Sequence, residues 1–277
     1  GVLLTSETGI TWSSQVLDEG NRSLTGVTWG NAQFVAVGLS GLFAYSADGM
    51  TWQTGELSGL APSMLDVTWS GNEYVTVGLE GQIMSSSDGL AWNQMVADVT
   101  KDYDLTSVHW TGEMYVSVGG FGGIFTSADG ANWAIQISGV SERIYGITSL
   151  SDSLVAVGRF GVIRSSVDGS AWTTQTKGSR VTLEGIAWSG SQYVAVGHSG
   201  VVLTSEQAQD WEEQTSGIGN DLHAVIWAGD HFIAVGAAGI IVSSVDAVNW
   251  SDQSGGIIRD LQDVAWSGDK FVVVGVL

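Results

Sequence analysis

Cysteine is absent from this chain, so neither disulfides nor thiolate metal sites can hold it together. Proline occurs once, at Pro62, in 277 residues. The 39 glycines follow no three-residue period and 44% of residues are apolar, which excludes collagen-like and Pro/Gly-rich disordered architectures. Positive charge is scarce: nine Lys and Arg stand against 29 Asp and Glu, for a net charge of −20. No basic stripe exists to release counterions from phosphates, which removes nucleic acid from the expected partners. Anionic membrane surfaces are disfavoured by the same charge. No apolar run approaches the roughly 20 residues needed to cross a bilayer, so membrane insertion is not expected. The chain begins at Gly1 without a Met or a signal-peptide pattern, as a mature or excised segment would. We expect a monomer or a domain of a larger chain, in an extracytoplasmic or cell-surface setting.

What the chain has in quantity is repetition. A segment reading Val-Thr-Trp-Gly-Asn-Ala-Gln-Phe-Val-Ala-Val-Gly runs from Val27 to Gly38. Its Trp recurs at Trp69, Trp110, Trp188, Trp227 and Trp266, with Ser149 standing in once. A second landmark, Ser-Ala-Asp-Gly-Met-Thr-Trp, runs from Ser46 to Trp52. Its Trp recurs at Trp12, Trp92, Trp133, Trp172, Trp211 and Trp250, and successive spacings are 40, 40, 41, 39, 39 and 39 residues. Within a unit, β-branched and aromatic runs alternate with turn residues. Leu24 to Trp29 predicts strand A, Phe34 to Val37 strand B, Leu42 to Ser46 strand C, and strand D begins near Thr51. Four short strands per unit of about forty residues predict a β-propeller blade.

The two ends complete each other. The chain closes on Gly275-Val276-Leu277 and opens on Gly1-Val2-Leu3, and joined they reproduce the Gly38-Leu39-Ser40-Gly41 turn. The expectation is one seven-bladed, all-β propeller domain spanning 1–277. Its last blade would take strands A and B from the C-terminus and C and D from the N-terminus, leaving no free sheet edge at the seam.

The Ser-x-Asp-Gly-x-x-Trp hairpin resembles the Asp box, or BNR repeat, of sialidases and related propellers, although the usual box has one more residue between Asp and Trp. The wider unit, with Val-Gly-x-x-Gly before the box, is similar to the repeats of photosystem II assembly and stability factors. The resemblance covers the whole chain and implies fold, because such repeats serve unrelated functions. The box aspartates Asp48, Asp88, Asp129, Asp168 and Asp246 are expected to be structural, accepting hydrogen bonds from turn amides. Three boxes depart from the pattern: Thr8 and Gln207 replace Asp, and Ala247 replaces Gly.

No catalytic signature accompanies the boxes. The six arginines lie outside the Arg-Ile/Leu-Pro motif that a sialidase resemblance would demand. His109, His198, His223 and His231 sit on different repeats without metal-ligand spacing, so no metal and no cofactor are expected.

Subtracting the repeat isolates the off-pattern residues. All 13 tryptophans are landmarks. The aromatics left over are Tyr103 and Tyr145, by the D-to-A connections entering blades 3 and 4, and Phe121 and Phe160, in the B-to-C turns of those blades. Both kinds of connection emerge on one face of a blade. With Asp104, Arg143 and Arg159 they form the candidate ligand-binding patch. A second candidate is a ring at the channel mouth: Ser23, Ser63, Asp104, Arg143, Thr182, Asp221 and Asp260.

The leading expectation is a non-catalytic binding or scaffold propeller that offers one face to a protein or other ligand. The alternatives are a lectin-like propeller binding carbohydrate between blades, which predicts near-identical pockets around the ring, and a glycoside hydrolase using Glu142 or Glu184 with Asp104.

Overall fold

The structure is a computed structural model that describes every residue except 18, 19, 21, 60, 96, 151, 152, 176–178 and 277. Seven four-stranded antiparallel sheets follow one another around a ring. Blade 1 consists of Leu24–Gly30, Gln33–Gly38, Leu42–Ser46 and Gln53–Glu56, and five further blades repeat this order. The seventh joins Leu261–Trp266 and Phe271–Gly275 to Val2–Ser6 and Ser13–Val16. Its seam pairs Val2 with Gly275 through to Ser6 with Phe271. Leu277, expected in the closing turn, lies outside the described residues.

Strand D starts two residues later than Thr51, at Gln53. The reason is local: the N–H groups of Met50 and Thr51 are already committed to Asp48 Oδ1, at 2.8 and 2.7 Å.

The core is divided among the blade interfaces. Seven clusters of buried side chains each draw on two adjacent blades, and strand B contributes to both sides because it is buried along its length. Fully burying each Val, Leu or Phe contributes about 1.5–3 kcal/mol. Six blades add a three-ring stack: the strand-A Trp lies 4.0–4.6 Å from the strand-B aromatic, and the box Trp lies 6.1–6.4 Å beyond it.

The glycine ending strand B has a specific cause. A Cβ on Gly38, Gly78, Gly119, Gly158, Gly197, Gly236 or Gly275 would lie 2.0–2.4 Å from the carbonyl oxygen just before strand A of its own blade. That carbonyl accepts the N–H of the next turn residue at 2.9–3.0 Å in all seven blades. The turns and strand starts are thereby locked at one end of the ring, which positions the sites below.

Candidate functional site: the rim of blades 3 and 4 and the channel mouth

Among the described residues the locked B-to-C turns place a non-glycine residue in the left-handed region, followed by a left-handed glycine. In six blades the non-glycine residue is Ser40, Glu80, Phe121, Phe160, Ser199 and Ala238, with φ between 53° and 57°. Most of the expected mouth-ring side chains serve these turns rather than an open mouth. Ser63, Asp104, Thr182, Asp221 and Asp260 accept the N–H of Ser40, Glu80, Phe160, Ser199 and Ala238 of the preceding blade, at 2.7–3.5 Å. Arg143 breaks the series, because a guanidinium has no acceptor to give. It reaches instead to Asp104 Oδ2 at 2.8 Å, tying the connections that enter blades 3 and 4. That hydrogen bond holds the Asp104 carboxyl below the usual carboxylate range.

Three of the four off-pattern aromatics lie on this rim. Tyr103 packs edge-on against Phe125 at 5.0 Å and against Phe121 at 6.3 Å. Phe121 remains 77% exposed and Phe160 54% exposed. Arg159 lies over the Phe160 ring, with its guanidinium carbon 4.7 Å from the centroid. A groove of about 580 Å³ runs beside Tyr103 and Phe121, walled by Ile135, Ile137 and Ser138.

Tyr145 departs from the patch. It is the second residue of strand A, Ile144–Leu150, and lines the central channel with its counterparts Thr25, Leu65, Thr106, Glu184, His223 and Gln262. Alternation along a strand moves a side chain to the other face with each residue, so one position separates the rim from the channel.

The channel wall also brings together groups that the sequence left on separate repeats. Glu184 Oε1 meets His198 Nε2 at 2.7 Å, and Glu184 Oε2 lies 3.9 Å from His223 Nε2. Other wall side chains stitch neighbouring blades. Thr25 donates to the Met64 carbonyl at 2.7 Å, Thr106 to the Ile144 carbonyl at 2.6 Å, and His223 Nδ1 to the Leu261 carbonyl at 2.9 Å. Asp66 accepts the Val108 N–H at 2.9 Å and Asp263 the Val27 N–H at 2.8 Å. Burial raises the pKa of both carboxyls, and Asp263 is raised further by its neighbour Asp66.

The five box aspartates are tied to their own turns. Each Oδ1 accepts the N–H groups two and three residues ahead, at 2.7–3.1 Å. Those amides, the one three residues ahead foremost, hold each carboxyl below its ordinary range. Among the described residues no group of three or more His, Asp or Glu side chains is placed to hold a metal ion. No helix among them is long and apolar enough to cross a membrane.

These features define a seven-bladed β-propeller whose irregularities gather on one rim and in the channel. No family model and no curated protein matches the chain. Solved structures do. A structure described as YCF48 bound to D1 peptide aligns at TM-score 0.74 and 15% identity, covering 93% of each chain. YCF48 from Cyanidioschyzon merolae aligns at 0.72 and 18%, covering 95% of each. Virginiamycin B lyase from Staphylococcus aureus, in a catalytically inactive variant with quinupristin, aligns at 0.83 and 12%, covering 99% of this chain and 100% of that one. At such identities the likeness is one of fold.

Proposed function

We propose that the chain is a single-domain, non-catalytic binding propeller whose blade 3–4 rim takes a peptide segment of a protein partner. One observation carries this reading: two large aromatics stand in exposed left-handed turns where four other blades place Ser, Glu or Ala. Phe121 keeps most of its ring in solvent, and a left-handed conformation is uncommon for residues as bulky as Phe121 and Phe160. Their value lies in what covers them. The groove beside Phe121 is apolar on one wall, and Arg143 and Arg159 lie elsewhere on the same rim of a chain of net charge −20. That a protein of similar fold is described as YCF48 bound to D1 peptide supports a peptide as the ligand. We read the Ser-x-Asp-Gly hairpins as Asp boxes that serve the fold.

The test is selection of peptides from a displayed random library on the wild-type protein. Those selected are expected to bind the Phe121→Ser/Phe160→Ser variant at least tenfold more weakly. Equal affinity for both proteins would sink the reading.

A second reading rests on Glu184 with His198 and His223 at the channel, in a fold that also houses a lyase. It requires Glu184→Gln to abolish turnover of a substrate from a lyase and hydrolase panel without lowering the melting temperature. The carboxyl pair of a glycoside hydrolase is not favoured, because Asp104 is engaged by Arg143 and Glu184 by His198.

A further inference from the structure

The box hairpins are not equivalent, and the difference opens space on the ring face opposite the rim. In five boxes one aspartate oxygen bridges two consecutive backbone N–H groups, at 2.7–3.1 Å. In blades 7 and 5 that position is Thr8 and Gln207. Thr8 Oγ1 accepts the Ile10 N–H alone, at 3.3 Å. Among the described residues Gln207 takes up neither the Gln209 nor the Asp210 N–H, so the bridging oxygen is missing. The blade 5 box is loosened further. Six box indoles donate to the carbonyl three residues back at 2.8–3.2 Å, whereas the Trp211 indole N–H, on a residue 6% exposed, has no partner among the described residues.

Grooves lie at both of these hairpins, with matching walls. The blade 5 groove, about 520 Å³, is walled by Glu206, Gln207, Asp210, Glu212, Gln192 and Val248. The blade 7 groove, about 350 Å³, is walled by the residues at the same repeat positions: Glu7, Thr8, Thr11, Ser13, Lys270 and Met50. Val248 and Met50 come from the box of the following blade and present exposed apolar surface. Lys270 is paired with Glu7 at 3.1 Å.

We propose that both grooves bind a neutral saccharide. The filled boxes define the demand, an oxygen facing adjacent N–H groups; a sugar hydroxyl or acetamido carbonyl supplies it to both groups in blade 5 and to the Thr11 N–H in blade 7, where Thr8 already takes the Ile10 N–H. Glu206 and Glu212 accept hydrogen bonds from further hydroxyls, and the apolar wall packs the C–H face of a ring. An anionic ligand is opposed by three carboxylates in the blade 5 groove, which has no cation in its wall. These sites are independent of the rim and stand or fall apart from it.

The experiment titrates chitotriose and cellotriose into the wild-type protein and into Gln207→Asp, Thr8→Asp and the double variant, by calorimetry. Asp followed by Ala is already tolerated at Asp246-Ala247, so the restored boxes are expected to fold with unchanged or higher melting temperatures. Wild type should show two sites per chain for at least one trisaccharide. Each single variant should show one, and the double variant should bind at least tenfold more weakly. The Phe121→Ser/Phe160→Ser variant should keep both sites. Absence of millimolar binding to wild type, unchanged stoichiometry in the double variant, or binding of trilysine instead of either sugar would each overturn the proposal.

Discussion

Blades 1 and 4 share one register but are filled differently. In blade 1, Phe34 lies between Trp29 and Trp52, at 4.6 and 6.3 Å. In blade 4 the first two positions are Ser149 and Leu154, and only Trp172 remains. The Ser149 hydroxyl is taken by His109 Nε2 of blade 3 at 2.7 Å, and burial pushes that imidazole down to a pKa of about 4, so it is neutral at pH 7. The strand-C core slot differs too. Ala44 fills it in blade 1 and Arg164, 6% exposed, in blade 4. Arg164 donates to the Trp172 carbonyl at 2.9 Å and to Thr174 Oγ1, its Nε has no partner, and it makes no ion pair among the described residues. A blade therefore does not need its aromatic stack to take its place. Six regular neighbours impose the geometry, and the blade with the least regular core borders the rim that carries Phe121, Arg159 and Phe160.

Four measurements can break or sharpen this contrast. Phe34→Ala, in the full stack, should destabilise by about 3–5 kcal/mol, and Leu154→Ala by less, since no ring sandwich is lost there. Denaturant unfolding checks both, and equal losses would deny the stack any special role. Arg164→Met should raise stability, by about 1–4 kcal/mol, because Met84 already fits the same slot in blade 2 and a buried unpaired cation is removed. A fall in melting temperature would show that its two hydrogen bonds outweigh burial of the charge.

Acid behaviour separates the channel from the boxes. Asp66 and Asp263 have raised pKa values, so the native state binds more protons, and stability should increase as pH falls from 7 toward the unfolded carboxylate value of about 3.9. The box aspartates have lowered values; their contribution is present above about 3.9 and lost as pH falls below it. Melting scans from pH 7 to 2 should therefore pass through a maximum. Asp263→Ser should flatten the limb above it, and Asp129→Asn with Asp168→Asn the limb below. The smallest effect belongs to Phe121→Ser and Phe160→Ser, whose stability should stay within about 0.5 kcal/mol of wild type because both stand at exposed turn positions.

Much of the fold was legible because propeller repeats announce themselves in one dimension. The Trp spacing counted the blades, and the matching ends located the seam. The candidate rim was partly legible. Tyr103, Phe121 and Phe160 stood out as residues the repeat did not require, whereas Tyr145 was placed one strand position away from where it lies. Arg164 was missed although its signal was present: aligned strand-C positions read Leu4, Ala44, Met84, Phe125, Leu203 and Val242, and an arginine among them marks a buried charge. Glu184 was read as a possible acid partner of Asp104, and its meeting with His198 and His223 carried no such signal, since a strand and a turn of one blade meet the first strand of the next only once the ring closes.

Strand content, blade number, order and closure were written in the sequence by itself, because periodic burial and turn chemistry are local properties that recur with the chain. The tertiary structure alone decided which side chains share the channel, which mouth residues cap a neighbour's turn, and which walls a groove has beside the Thr8 and Gln207 hairpins. Those relations join residues of neighbouring blades, 22 to 24 positions apart where a turn is capped, and their energies depend on distances that spacing along a chain does not contain.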